Sequence, residues 1–512
     1  MNLTPLVRHH FLRRASRTCR WDTDSADIQI ELLRSLIRRA KDTEIGKLCG
    51  FADMLREKDP RSAFARQVPL TGYEGIRKNV MRMIRGEKDV LWPGRCRWYA
   101  QSSGTSGGKS KYIPVTDDSL RLNHYRGAED AVSHYIASNP ATRIFSGKGM
   151  ILGGSFANEI SDLPSGVHVG DLSATLIKRI TPLADMVRVP SKRVALMSDW
   201  EQKLPALAKA AARSNVTNIS GVPSWFLTVI KEILKRENAT SLSAVWPNLE
   251  VFFHGGISFA PYRGEYQRLT EGCPMHFMET YNASEGFFAV QQHLDDQSML
   301  LIIDSGVYYE FIDIADPDST PVGIDGVDQG HTYEMVITAA NGLWRYRLGD
   351  TVKVEETSPV RISIAGRTKS FINAFGEELM ECNAEEALAE VCRQTGASVK
   401  NYSAGPVFAH DGQRGRHQWI IEWDTPPADT DGFASRLDSE LQKVNSDYQA
   451  KRANSIFLDP LSITNARPGL FDEWLSHSGS HKLGGQRKVP RLSNDRTILN
   501  TLLILNNKYP PT

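Results

Sequence analysis

Apolar positions first recur at helical spacing between Ile28 and Leu55, where Leu32, Leu33, Leu36 and Ile37 form one stripe and predict a helix across the span. After a loop carrying Pro69 and Gly72, the segment from Tyr73 to Arg85 reads as a second helix, polar and basic. In the middle of the chain short apolar runs alternate with helical stretches. The pattern predicts a helix over 204–212 with Pro205 in its first turn, a strand over 216–219 and a helix over 225–236. A buried strand over 249–253 then runs into His254-Gly255-Gly256. Between 299 and 354 the period changes to two. LLIIDS, YYEFIDIA, TYEMVITAA and WRYRLGDTVKV are successive strand-like runs parted by Gly, Asp and Asn, which predicts an antiparallel or distorted-barrel subdomain. Beyond 366–376 the texture is mixed again, with a helix at 383–395, strands at 407–409 and 419–423, and a helix at 433–452. That is the pattern of a separate small α+β domain.

Composition alters this picture only by exclusion. A chain of 512 residues holds two to four domains and a large core. Its 61 basic and 60 acidic residues leave a formal charge of +1, so it lacks the dense basic face that counterion release on nucleic acid requires. The densest basic stretch, Arg8, His9, His10, Arg13 and Arg14, reads as a solvated N-terminal face. Cys19, Cys49, Cys96, Cys273, Cys382 and Cys392 are scattered without a CxxC pair, which fits free thiols in a reducing compartment rather than disulfides or structural zinc. No run approaches the ~20 apolar residues of a membrane span. No apolar segment follows the N-terminal arginines, as a secretory signal would require. The expectation is a cytoplasmic enzyme, monomeric or weakly dimeric, without nucleic-acid or membrane partners.

The most informative stretch is SSGTSGGKSK, Ser102 to Lys111, between two strand-like segments. Its glycines let the backbone approach an anion, and neighbouring N–H groups form a concave nest for it. Ser102, Ser103, Thr105 and Ser106 add hydroxyl donors, and Lys109 and Lys111 add charge. Gly108-Lys109-Ser110 imitates the end of GxxxxGK[ST], but Ser103 stands where the first glycine belongs and Pro114 bars the helix that should follow. A plain flexible linker is the competing reading of the loop alone.

Three further motifs follow in order. METYNASEG places Tyr281, Ser284, Glu285 and Gly286 at the end of an apolar strand, where Tyr281 can stack on a purine and Glu285 can ligate magnesium. Tyr346-Arg347-Leu348-Gly349-Asp350 closes a β pattern with a carboxylate suited to ribose hydroxyls. GRTKSFINAFGEEL, Gly366 to Leu379, brackets a strand-like centre with Arg367 and Gly376 and falls where a hinge would be. Read singly, each is also a surface turn.

In this order the motifs resemble those of the adenylate-forming superfamily of acyl-CoA synthetases, luciferases and peptide-synthetase adenylation domains. The likeness is closer to the Gretchen Hagen three family, whose plant members are acyl acid amido synthetases. It runs through HGGISFAPYR (254–263), METYNASEGFF (278–288), GLWRYRLGDTV (342–352), LQKVNSDYQAKR (441–452) and HKLGGQRKVPRLSN (481–494) as well as the 366–379 motif. The resemblance implies an α/β fold. A large N-terminal adenylate-forming domain (α/β subdomains plus a distorted β-barrel) would cover 1–366, with a hinge at 367–380 and a small mobile α+β cap at 381–512. It implies ATP and Mg2+ as cofactors, with Ser102, Ser103, Gly104, Thr105 and Ser106 on the phosphates. Thr280, Tyr281, Asn282, Ala283 and Ser284 would surround adenine and the α-phosphate, Glu285 would hold magnesium, Asp350 the ribose, and Arg367 would lie beside the nucleotide. Lys488, with Lys482 as second choice, would assist adenylation. Thr368 and Lys369 stand where the superfamily usually has an acidic residue, and Asn373 where a basic one is common.

The expected partners are a small carboxylic acid and an amine, most simply an amino acid, joined as an amide. A ligase of the same superfamily using coenzyme A and a non-catalytic acyl- or nucleotide-binding protein are the alternatives. An acyl pocket is expected at Ser220, Pro223, Trp225, Gly255 and Gly256, which flank strand ends, although core packing is the stronger reading of Trp225. For His254, His276 and His331, beside apolar segments, core or loop packing outweighs catalysis. Around Asn123–Asp130 the acid-recognising residues of plant members are not recognisable, so the acid itself is left open.

Overall fold

The run at 251–255 shows no alternation of buried and exposed positions because it becomes a parallel strand beside 216–221 with all five residues buried. The computed structural model describes residues 2–508 except 103–110, 157, 159, 161, 257–258, 368–370, 373, 375–376, 378, 408–414, 446–447, 450–451, 453–457, 478–488 and 495. Its strands in chain order are β1 (Trp98–Ser102), β2 (Lys111–Pro114), β3 (Lys148–Ile151), β4 (His168–Gly170), β5 (Arg188–Val189), β6 (Val216–Gly221), β7 (Val251–Gly255) and β8 (His276–Asn282). They continue as β9 (Phe287–Gln291), β10 (Met299–Leu301), β11 (Val307–Asp313), β12 (Thr332–Ala339), β13 (Leu343–Thr357) and β14 (Val360–Arg367). The last five are β15 (Phe371–Ile372), β16 (Leu379–Met380), β17 (Ser398–Val407), β18 (Arg416–Thr425) and β19 (Ser462–Asn465).

Eleven of these strands form one sheet in the order β11-β12-β13-β14-β10-β9-β8-β7-β6-β3-β5. From β5 to β8 the neighbours are parallel, and from β8 onward they are antiparallel. The strands expected between 299 and 354 as a barrel subdomain are antiparallel, but they continue the parallel strands through β8 and β9 instead of standing apart. The reason is local: the 283–286 turn after β8 folds β9 back along it, and β10 pairs β9 on its other side. A small sheet, β2-β1-β4, lies separately. Residues from 372 onward build their own apolar clusters, around Trp419, Leu437 and Tyr448 and around Phe471 and Leu502. The three-stranded sheet β17-β18-β19 lies in that part.

Several elements differ from the sequence pattern for identifiable reasons. The helix expected across 28–55 is three helices, Ser25–Ala40, Glu44–Leu48 and Phe51–Met54. Thr43 caps the second by accepting from the Gly46 N–H at 3.1 Å, and Gly50 turns the chain at φ +66° before the third. The helix at 204–212 starts at Trp200, because the Asp199 side chain accepts from the N–H groups of Glu201 and Gln202; Pro205 therefore lies inside it rather than in its first turn. The strand placed at 407–409 is β17, which ends at Val407, while Phe408 and Ala409 lie outside the described residues. The helix expected through 452 ends at Val444, where Asn445 is extended.

The basic N-terminus is only partly a solvated face. Arg14 is buried in the helix Thr4–Ala15 and donates to Asp130 at 2.8 Å and to Asp304 at 2.6 Å, tying the first helix to the helix Tyr125–Ser138. A buried guanidinium needs such carboxylate partners, and no sequence window announces them. Cys49, Cys96, Cys273, Cys382 and Cys392 are free thiols. Among the described residues no helix is long and apolar enough to cross a membrane.

Candidate active site

Parallel β3, β6, β7 and β8 end at one edge, the position where open α/β sheets take ligands. There β6 runs out through Ser220 and Gly221, β7 through Gly255 into Gly256, and β8 through Asn282 into Ala283 and Ser284. A Cβ on Gly255 would stand 2.2 Å from the Thr280 carbonyl oxygen, and Gly256 is left-handed at φ +83°, so both positions demand glycine. Thr280 in turn donates its hydroxyl to the His254 carbonyl at 3.0 Å. Pro223 opens the helix Pro223–Glu237, its carbonyl accepting from Tyr266 Oη at 2.6 Å. Trp225 packs beside Trp200, ring centroids 5.9 Å apart, against the core beneath the sheet.

The turn after β8 is held from two sides. Ala283 N–H donates to the Gly286 carbonyl at 2.8 Å, and the Glu285 carbonyl accepts from Asn341 Nδ2 at 3.0 Å. Buried Asn123 accepts from the Phe287 N–H at 2.7 Å and donates back to the Phe287 carbonyl at 2.9 Å. A Cβ on Gly286 would meet the Phe288 ring at 2.6 Å. These clamps fix where Glu285 begins, and its residue is 7% exposed, at the limit of the interior. Asn123 and Asn341 were not singled out from the sequence, since isolated asparagines between apolar runs look like turn residues.

Tyr281, at the end of β8, donates its hydroxyl to Asp350 Oδ2 at 2.8 Å. Asp350 reaches that position because β13 bulges. Glu334 of β12 pairs with Thr351, yet Val336 pairs with Arg347, leaving extra residues around Gly349, which is left-handed at φ +80°. Arg367 pairs with Asp350 in the backbone register of β13 and β14. On the nucleotide role that the motif resemblance implies, Tyr281→Phe, which keeps the ring and removes this bond, should raise KM for ATP less than tenfold (about 1 kcal/mol) with the melting temperature nearly unchanged. Steady-state kinetics and a thermal melt check it together.

Ser103, Gly104, Thr105 and Ser106 lie outside the described residues, as do Lys482 and Lys488, but the loop's two flanks are placed. Ser102 of β1 pairs with Lys111 of β2. The Tyr112 N–H, one residue on, donates to Tyr73 Oη at 2.8 Å. Just before the helix Tyr73–Ile84, Thr71 bridges to Tyr346 of β13, its N–H donating to the Arg345 carbonyl at 3.0 Å and its carbonyl accepting from Arg347 at 2.8 Å. Hydrogen bonds thus connect the flanks of the glycine–serine loop to the 346–350 strand, and that strand to Tyr281 beside Glu285. Tyr73 and Tyr346 are members of this cluster that the sequence reading did not assign a role.

His254 is buried, stacked on Phe259 at 4.1 Å, and its Nδ1 has no hydrogen-bond partner among the described residues. Burial, with Arg263 adding to it, pushes its pKa down to about 3, so the ring is neutral at working pH and supplies no positive charge to phosphate. His276 is half-buried against Tyr135 and the Glu250 carbonyl, and His331 pairs with Asp313 in an exposed position beside the edge strand β11.

Residues 19–275 match the GH3 family N-terminal domain, 300–367 its central domain and 382–497 its C-terminal domain. The chain belongs to the GH3 (Gretchen Hagen three) family. Relatives within it include the indole-3-acetic acid-amido synthetase GH3.15 of Arabidopsis thaliana, 24% identical over 94% of this chain and 92% of that protein. The jasmonoyl–L-amino acid synthetase GH3.5 of Oryza sativa subsp. japonica is 28% identical over 49% of this chain and 47% of its own length. Among solved structures, the Arabidopsis GH3.15 acyl acid amido synthetase with 2,4-DB superposes at a TM-score of 0.77, covering 96% of this chain and 95% of that one at 20% identity. A 2-hydroxyisobutyryl-CoA ligase in its postadenylation state shares the fold more loosely, at a TM-score of 0.55 and 12% identity over 98% of this chain and 92% of the ligase. The fold of this GH3 chain is therefore that of the adenylate-forming enzymes, with a large N-terminal and a smaller C-terminal domain.

Proposed function

We propose that this GH3 chain is an ATP-dependent amido synthetase that adenylates a carboxylic acid and hands the acyl group to the amine of an amino acid. The observation that supports it best is the convergence of Glu285, the Tyr281–Asp350 pair and the flanks of the glycine–serine loop at the carboxyl edge of one sheet. In this reading Asp350 and Tyr281 hold the ribose, and the loop N–H groups and hydroxyls of 102–106 hold the phosphates. Thr280, Asn282, Ala283 and Ser284 wall the adenine and α-phosphate side, with Arg367 beside them.

Magnesium fits the donor set. A hard cation that keeps waters and phosphate oxygens as most of its ligands needs only one carboxylate, and Glu285 at the lip of the turn supplies one. When bound, the ion neutralises charge on the phosphate chain.

The acid lies along Ser220, Gly255 and Gly256 at the ends of β6 and β7, and its carboxylate oxygen attacks the α-phosphorus as the bond to pyrophosphate breaks. The amine nitrogen then attacks the acyl carbon, AMP leaves with the bonding pair and the amine loses its proton. No protein nucleophile is required. Holding the reactants in line supplies on the order of 7–11 kcal/mol of the barrier at best. The lysine assisting adenylation is Lys488 or Lys482, carried by the cap at 381–512 on a hinge within 367–380.

The test is pyrophosphate release with a panel of carboxylic acids, read with an amino acid, with coenzyme A or with neither. Amino-acid-dependent amide product supports the reading. Thioester formation would move the chain to the coenzyme A class, and ATP binding without pyrophosphate from any acid would leave a binding protein.

A further inference from the structure

Tyr346 is wholly buried, and its hydroxyl has no hydrogen-bond partner among the described residues. An orphaned buried hydroxyl is a net cost to a folded protein, so such a group survives where something else uses it. Phenylalanine would fill the same volume without that cost. The surroundings are specific. Tyr346 stands on the strand bridged by Thr71, and Glu285, Tyr73 and Asp350 all act on its hydroxyl electrostatically. Burial first, and then those three groups, hold the phenol far above its usual pKa, so it stays protonated and keeps an O–H to donate at any working pH.

Position along the strand says which part of a nucleotide would meet it. Tyr346 and Asp350 are four residues apart on β13, at most about 13 Å, and the bulge at Gly349 shortens the path. With the ribose at Asp350, Tyr346 lies toward the phosphates, on the side of Glu285 and of Tyr73, which holds the exit of the glycine–serine loop through Tyr112.

We propose that the Tyr346 hydroxyl is a phosphate-end donor of the nucleotide site, left without an acceptor in the free protein and satisfied by a phosphate oxygen, or by a water on Glu285-bound magnesium, when ATP–magnesium enters. The inference rests on the nucleotide reading above and adds a residue to it. Because the hydroxyl lies beneath the cavity surface, the Tyr73 or Glu285 side chain shifts aside as the phosphates seat. Binding energy drives that shift, and the shift orders both side chains around the ligand.

The experiment compares wild type and Tyr346→Phe for binding of ATP–magnesium and of adenosine, by calorimetry and by thermal shift. The expected result has three parts. Without nucleotide, the variant melts at or above the wild-type temperature, since removing an orphan hydroxyl relieves a cost. Its affinity for ATP–magnesium falls about tenfold, the size of one hydrogen bond to a charged group. Its affinity for adenosine does not change. Loss of stability with unchanged ATP affinity would assign Tyr346 a structural role and overturn the proposal. So would equal weakening of ATP and adenosine, which places the hydroxyl on the nucleoside. If wild type itself binds neither ligand while Asp350→Ala behaves the same, the nucleotide reading fails and takes this inference with it.

Discussion

Asp350→Ala should raise KM for ATP on the order of 100- to 1000-fold while leaving the melting temperature within a few degrees of wild type. The side chain sits on the bulged part of β13, half-buried, and meets Tyr281 Oη at 2.8 Å. In the proposed nucleotide site this carboxylate would accept from both ribose hydroxyls, and two charge-assisted bonds are together worth about 3–4 kcal/mol, each 1.4 kcal/mol being a factor of ten. Removing the side chain also deprives the Tyr281 hydroxyl of its Asp350 acceptor. The ladder of β13 with β14 is backbone and survives the change. Asp350→Asn keeps one acceptor and should fall between the two. An Asp350→Ala enzyme with wild-type KM for ATP and for the acid would remove the ribose assignment, whatever the rest of the site does.

The second large effect is on stability in acid. His124, His134 and His254 are each buried, each with one ring nitrogen lacking a partner among the described residues. Burial lowers His124 and His134 to about 4 and His254 to about 3, from an ordinary value of 6.5. The folded pKa lies below the unfolded one, so the unfolded chain binds more protons, and stability present above pH 6.5 is lost as the pH falls toward 4. Each ring accounts for roughly 3 kcal/mol over that window at 1.36 kcal/mol per unit. Asp130, which burial raises to about 6 despite Arg14, works in the opposite sense. The clean measurement is therefore a difference: chemical unfolding of wild type and His134→Phe at pH 7 and at pH 4.5. The wild-type protein should lose about 2 kcal/mol more between the two than the variant does. Equal losses would mean that His134 takes up no proton on unfolding and that its burial in the folded protein is not what sets its protonation.

What the amino-acid sequence determined by itself was local. The strands flanking 103–110, the strands expected at 216–219 and 249–253 and the successive strands expected from 299 to 354 follow from apolar runs and turn residues whose preferences act within a few positions. The order of the four motifs sufficed to find the family, although the 346–350 motif, expected to close a strand, lies inside β13 with 351–357 continuing it. Where sequence and structure part, a single side chain decided. Thr43 and Gly50 break the long helix expected at 28–55, and Asp199 starts another helix four residues early.

Only the tertiary structure could decide which separated groups meet. Tyr281 and Asp350 lie 69 residues apart, and Asn123 reaches the backbone of Phe287 across 164. Arg14 looked like one of several solvated arginines until Asp130 and Asp304 enclosed it. Tyr346 reads as an ordinary strand aromatic until its hydroxyl is found without an acceptor beside Glu285. Burial, charge pairing and the satisfaction of polar atoms depend on neighbours distant along the chain. No pattern of period 2 or 3.6 encodes which neighbours those are, and chemistry at this sheet edge is built from that information.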